Sequence, residues 1–202
     1  MTDPYQVVSA GPAPVTLEEA KSYLKLPEGA GPDDALLAVI LLTATEIAES
    51  YTRRSFRPVT WTLTLDDFAD CREGRIELRR DPVSVVSSIT RLVANVATAV
   101  PTSTYYLKKG VQSSEILVAD GEDWPDDVDP REGAIVVNFE TVAHRRVASA
   151  KDAILRLAAY LYENRGDCGD LTQVGMGPTV STDAIKGSGA QVILDQLRVS
   201  RV

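Results

Sequence analysis

Residues 33–54, DDALLAVILLTATEIAESYTRR, limit what this chain can become more than any other stretch. Pro32 suits the first turn of a helix, where its missing N–H costs nothing, and Asp33 and Asp34 put negative charge at the positive end of the helix dipole. Leu36, Ile40, Thr43/Ala44, Ile47 and Tyr51 recur at helical spacing, and Leu37, Leu41, Ala44 and Ala48 form a second stripe beside them. The run Leu36–Leu42 is therefore apolar nearly all round, and such a helix has to be covered on both sides. One face can bury inside its own domain. The other needs the rest of the chain or a neighbouring copy, which makes Leu37, Leu41, Arg53 and Arg54 candidate subunit-interface residues. Arg53 and Arg54 also fall where cations suit a helix C-terminus. A fully apolar run of seven residues is too short for a bilayer, which needs ~20.

Before this helix, residues 1–14 read as loop, broken by Pro4, Gly11, Pro12 and Pro14. Thr16 with Glu19 fits a capping box opening a short helix, with Leu17, Ala20, Leu24 and Tyr23 on its apolar face and Pro27 as its stop. After Arg54 the period changes to two. Val59, Trp61, Leu63 and Leu65 alternate with Thr60, Thr62 and Thr64, which is a half-buried strand. Short strands follow at Ile76–Leu78, after which Asp81-Pro82 makes a turn, and at Val83–Val93, Tyr105–Lys108, Glu115–Ala119 and Gly133–Val142. Spacing this regular, with hairpin-length links, predicts an antiparallel sheet or sandwich. A second long helix follows, with Ser149 and Asp152 as its N-terminal signature and Gly166 past its end. Val147, Ile154, Leu157/Ala158 and Leu161 line one face, which is expected to pack against the 33–54 helix.

The fold class is thus α+β: a helical core of two long helices and a short N-terminal one, with a small antiparallel sheet or sandwich at about 57–142 inserted between the long helices. The core spans 1–165 and an extended tail covers 166–202. Residues 166–189 hold glycines at 166, 169, 175, 177, 187 and 189, too little apolar surface to order a segment alone. The apolar string AQVILDQLRVSRV follows. This pattern reads as a flexible arm that folds onto a partner through Val192, Ile193, Leu194, Leu197, Arg198 and Val199. The alternative is that 190–202 docks back on its own domain.

Composition narrows the function. A net charge of −8 argues against gripping nucleic-acid backbone over a broad surface, although an acidic wall would let DNA slide past. The start of the chain has neither the basic residues nor the apolar core of a signal peptide. Cys71 and Cys168 carry no CxxC spacing and read as free thiols. GxSxG, HExxH and P-loop strings are absent, and G-S-G at Gly187–Gly189 reads as linker because no strand precedes it. His144, the only histidine, reads as a surface or capping residue. The six carboxylates between Asp120 and Asp129 could hold Ca²⁺ or Mg²⁺, but their spacing fails the EF-hand pattern, so a solvated loop is expected. Arg53, Arg54 and Arg57, and Arg72, Arg75, Arg79 and Arg80, read as helix-end and edge-strand charge or as an interface for acidic neighbours. No catalytic, cofactor or metal site is expected, and the chain does not read as an enzyme; a small metal-dependent enzyme using the 120–129 loop is the rival of a different class.

Several strings in fixed order resemble the head–tail connector (adaptor) family of tailed phages, including prophage and gene-transfer-agent members. They are V-T-L-E-E-A-K-x-x-L at Val15–Leu24, an E-x-Y-T-x-R stretch at Glu49–Ser55, W-x-L-x-L-D-x-F at Trp61–Phe68, a looser match at Ile76–Ile89, Tyr105–Tyr106, Trp124–Pro125, and A-I-L-x-L-x-A-x-L-Y-E-N-R at Ala153–Arg165. The match covers roughly 15–165. Where many members have A-G-Y after the strand at 133–142, this chain reads V-V-N-F-E-T-V. The resemblance implies a structural virion protein of the neck, between capsid and tail, assembled in the host cytoplasm without a membrane. It implies a homo-oligomeric ring, usually of twelve copies, that joins the portal protein to a stopper or tail protein, with DNA passing unbound through the lumen. C-terminal extensions in the family often grip the portal. A stopper or tail-completion protein is the closer rival, one that usually lacks the paired long helices.

Overall fold

The computed structural model describes residues 4–68, 74–110, 113–164 and 179–199. Cys71, Arg72, Cys168, the glycines at 166, 169, 175 and 177, and Pro178 lie outside the described residues, so the readings placed on them stand as expectations. The chain divides into two compact units, one of 1–11 with 57–144 and one of 12–56 with 145–202.

The first unit is all β among the described residues. Its strands are β1 (Tyr5–Ala10), β2 (Val59–Leu65), β3 (Ile76–Leu78), β4 (Val83–Val93), β5 (Val96–Ala99), β6 (Tyr105–Lys108), β7 (Ser114–Val118) and β8 (Ile135–Thr141). They form a five-stranded sheet in the order β1-β2-β8-β4-β5 and a three-stranded sheet β3-β7-β6, antiparallel throughout. The alternation in β2 does what it predicts: Val59, Trp61 and Leu63 are buried, with threonines between them. They join Ile89, Ile135, Val137 and Phe139 from their own sheet and Ile76, Leu78, Tyr105 and Ile116 from the smaller one in a single apolar core. Fully burying each large side chain contributes ~2 kcal/mol.

Two strands depart from the sequence reading. Residues 5–10 are not loop: they pair with β2, with a register shift between Val7 and Ser9. Five of the six are exposed, so no buried face leaves an alternation to read. The other addition is β5, which turns back from β4 through Ala94 and Asn95, both at positive φ (50° and 65°), a conformation suited to a two-residue hairpin. The Asp81–Pro82 peptide at the expected turn is cis.

The second unit is helical: α1 (Leu17–Leu24), α2 (Asp34–Thr52), α3 (Val147–Glu163), α4 (Thr179–Gly187) and α5 (Gln191–Leu197). The capping box of α1 is present, with Glu19 N–H donating to Thr16 Oγ1 (3.1 Å) and Thr16 N–H to Glu19 Oε2 (2.9 Å). α2 packs along α3 as the periodicity predicts. Leu37, Ile40, Leu41, Ala44 and Ala48 of α2 meet Ala150, Ala153, Ile154, Leu157 and Ala158 of α3 in one core. α3 starts at Val147, ahead of the predicted signature, so Asp152 lies inside the helix and pairs with Arg156 one turn on.

The C-terminal segment from 179 to 199 is not an extended arm. Ala184, Ile185, Ala190, Leu194 and Leu197 are buried in the same helical core. Gly187–Gly189 is the stop of α4 and no linker: Ser188 N–H donates to Ala184 O, and Gly189 takes φ +70°, where a side chain would be strained. Gly187 also lets the Tyr160 ring approach α4, since a Cβ there would lie 2.5 Å from Tyr160 Cε2.

Candidate assembly surface

α2 is built by three local devices. At its start, the Asp34 carboxylate accepts from Gly31 N–H (3.0 Å) and pairs with Lys21, whose hydrogen bond holds the carboxyl below its ordinary pKa. Asp33 caps nothing with its side chain. Its carboxylate accepts from Tyr162 Oη (2.7 Å) and so ties α2 to α3. At its end, Arg53 takes the left-handed φ of +57°, and Glu49 accepts from Phe56 N–H (2.7 Å) as the chain turns away.

The C-terminal end of α2 is also where α5 docks. Arg54 Nε donates to Leu197 O (2.6 Å), Val199 N–H donates to Thr52 O (3.1 Å), and Tyr51 Oη donates to Asp195 Oδ1 (2.6 Å). That hydrogen bond to Asp195 raises the Tyr51 pKa. The Arg198 guanidinium lies 4.8 Å from the centre of the Tyr51 ring, within cation–π range.

These contacts relocate most of the residues picked from the sequence. Leu37 and Leu41 are buried inside their own unit and offer nothing to a neighbouring copy. They stand on the inner stripe because α3 covers it. Arg54 is 9% exposed and holds α5, and Arg53 is half-buried at the helix cap. Of the tail residues assigned to a partner, Leu194 and Leu197 are core, Ile193 packs against that core, and Arg198 and Val199 engage α2. Val192 is exposed, at 69%, and so is Arg198 beside the Tyr51 ring.

What α2 does present is a face the sequence reading did not separate from the rest. Leu36, Val39 and Leu42 are exposed large apolar side chains, and Ala35, Ala38 and Thr43 fill the surface between them. No charged residue occurs between Asp34 and Glu46. Over its length and composition α2 would pass as a membrane span, although 39% of its most apolar window is packed inside the unit. The signal for this face was in the sequence, since a helix apolar all round carries two stripes and α3 can cover one.

The acidic loop is tied to the protein. Arg91 pairs with Asp127 through two hydrogen bonds (2.8 and 3.0 Å), which lower the Asp127 pKa. Asp129 accepts from Ala94 and Asn95 N–H (2.9 and 2.7 Å) and so caps the β4–β5 turn. Trp124 stacks on Phe68 at 4.6 Å and donates to Gly74 O (2.7 Å). Among the described residues no group of three or more histidine, cysteine, aspartate or glutamate side chains is placed to hold a metal. His144 is half-buried after β8.

Among the described residues the chain is thus α+β, with a buried helical core, a two-sheet unit and an exposed apolar face on α2. No family model and no curated protein matches the sequence. The fold does have counterparts in solved particles. A chain in the neck of an empty gene transfer agent particle, computed with C6 symmetry, matches at TM-score 0.72 and 22% identity, over 98% of this chain and 96% of that one. A chain in the virion of a native gene transfer agent particle matches at TM-score 0.69 and 22% identity, with the same coverage. A chain in the neck of the native particle, computed with C12 symmetry, matches at TM-score 0.66 and 21% identity, over 98% and 97%. The chain therefore shares its fold with a component of gene transfer agent necks.

Proposed function

We propose that this protein is a structural part of a virion neck: an adaptor whose copies form a closed ring that joins the capsid portal to a stopper or tail protein and lets DNA pass. The observation that carries this reading is the near-complete overlay on neck chains, which spans both units. A match confined to one unit would speak only for a common module. Copies of one chain around an axis suit the C6 and C12 symmetry of those necks. The charge supports the same reading. At −8 per copy, whatever part of that charge faces the lumen would repel the DNA backbone. The role asks for no catalysis, cofactor or membrane.

The test is electron microscopy of the purified protein, alone and mixed with its portal protein. Ring-shaped class averages in at least one condition are expected, with the ring seated on the portal in the mixture. Isolated monomers in both conditions would overturn the proposal.

A further inference from the structure

The outward face of α2 is exposed. Leu36, Val39 and Leu42 are 41%, 60% and 42% exposed, at positions that follow one side of the helix. We propose that this face is the surface by which one copy packs against the next; the proposal rests on the ring reading above and names the contact it needs. Charge selects a second copy as the occupant. Copies that each carry −8 repel, and an uncharged face lets them meet without bringing carboxylates together. The stretch from Ala35 to Thr45 is free of charge on every side, so this face meets that condition. In necks of C6 or C12 symmetry that hold a chain of this fold, a second copy of that chain recurs round the axis. A bilayer fits worse. The inner stripe of the helix is committed to α3, so α2 is not free to span one.

A ring contact is head-to-tail, so the face meets a different surface on the next copy. Among the described residues of the helical unit, Tyr23 on α1 and Val192 on α5 are the remaining exposed large apolar side chains.

The test is sedimentation velocity across a concentration series, with and without portal protein, on the wild-type chain and on Val39→Glu, Leu42→Glu and Arg156→Glu. Arg156 is exposed on α3 and controls for added negative charge. Val39→Thr, which adds no charge, guards against an effect of misfolding, as does far-UV circular dichroism on each variant. The expected result is that the wild type and Arg156→Glu associate alike, that Val39→Thr is weakened, and that Val39→Glu and Leu42→Glu associate about tenfold or more weakly while remaining folded. Equal association of all variants would overturn the α2 contact and leave the ring reading standing. A wild type that stays monomeric even with portal would overturn both. Binding of the wild type to lipid vesicles, lost in Val39→Glu, would make the face a membrane surface and overturn the contact.

Discussion

α2 and α3 lie side by side in one core, yet their outer faces differ. α3 turns charge outward: Lys151 reaches Glu19 on α1 (2.8 Å), and Arg156 pairs with Asp152. α2 turns Leu36, Val39 and Leu42 outward with no charge among them. The inner faces are alike, a mixture of alanine and branched residues packed flat against each other. The difference separates two reasons for a helix to be apolar. An inner stripe answers to the fold, and α3 has only that. An outer stripe answers to something outside the fold, and α2 has both.

The comparison can be broken first at the inner faces. Leu37→Ala and Leu157→Ala should each destabilise by ~3 kcal/mol, read from urea unfolding midpoints, because both side chains are fully buried. A Leu37→Ala variant as stable as wild type, but defective in association, would return Leu37 to the subunit interface. Next comes the end of α2. Arg54→Ala removes a charged donor from the Leu197 carbonyl and should cost ~2 kcal/mol, with amide exchange in Gln191–Leu197 accelerating more than in α3. Uniform exchange would show that α5 holds by packing alone.

The outer faces give the smallest effects. Leu42→Lys should shift stability by less than ~0.5 kcal/mol, since its side chain is on the surface of the single chain. A large loss in the monomer would mean that the face is used by the fold after all. The charged face of α3 should respond to acid. The Lys151 hydrogen bond, the main cause, lowers the Glu19 pKa from its ordinary 4.5. A lowered carboxylate contributes stability above the unfolded value and loses it as pH falls through the folded one. Wild type should therefore weaken slightly below pH 4.5 relative to Lys151→Met, and the two should show parallel pH profiles above it. Parallel profiles throughout would show that the ion pair contributes nothing.

How much of this was legible depended on where each residue's partner lies. The Thr16–Glu19 capping box, the β2 alternation and the packing of α2 on α3 all follow from patterns within a few residues, and all are present. The exposed edge strand β1 has no buried face and so no period. The turn at Ala94–Asn95 lacks the glycine that marks many hairpins. Residues 190–199 looked like a sticky tip because the groups that hold them, Thr52 and Arg54, are over a hundred residues away in sequence. Ala190, Leu194 and Leu197 stand at helical spacing, a signal for a helix that serves docking home and docking on a partner alike. The exposed arm is thus no longer an argument for a partner within 179–199. The outer face of α2 carries that argument instead.

Native mass spectrometry of the protein reconstituted with its portal tests the ring most directly. The account predicts one dominant assembly whose added mass is a fixed multiple of the 21.8 kDa chain, as a closed ring requires. A single bound copy, no bound copy, or an open-ended ladder of masses would contradict it.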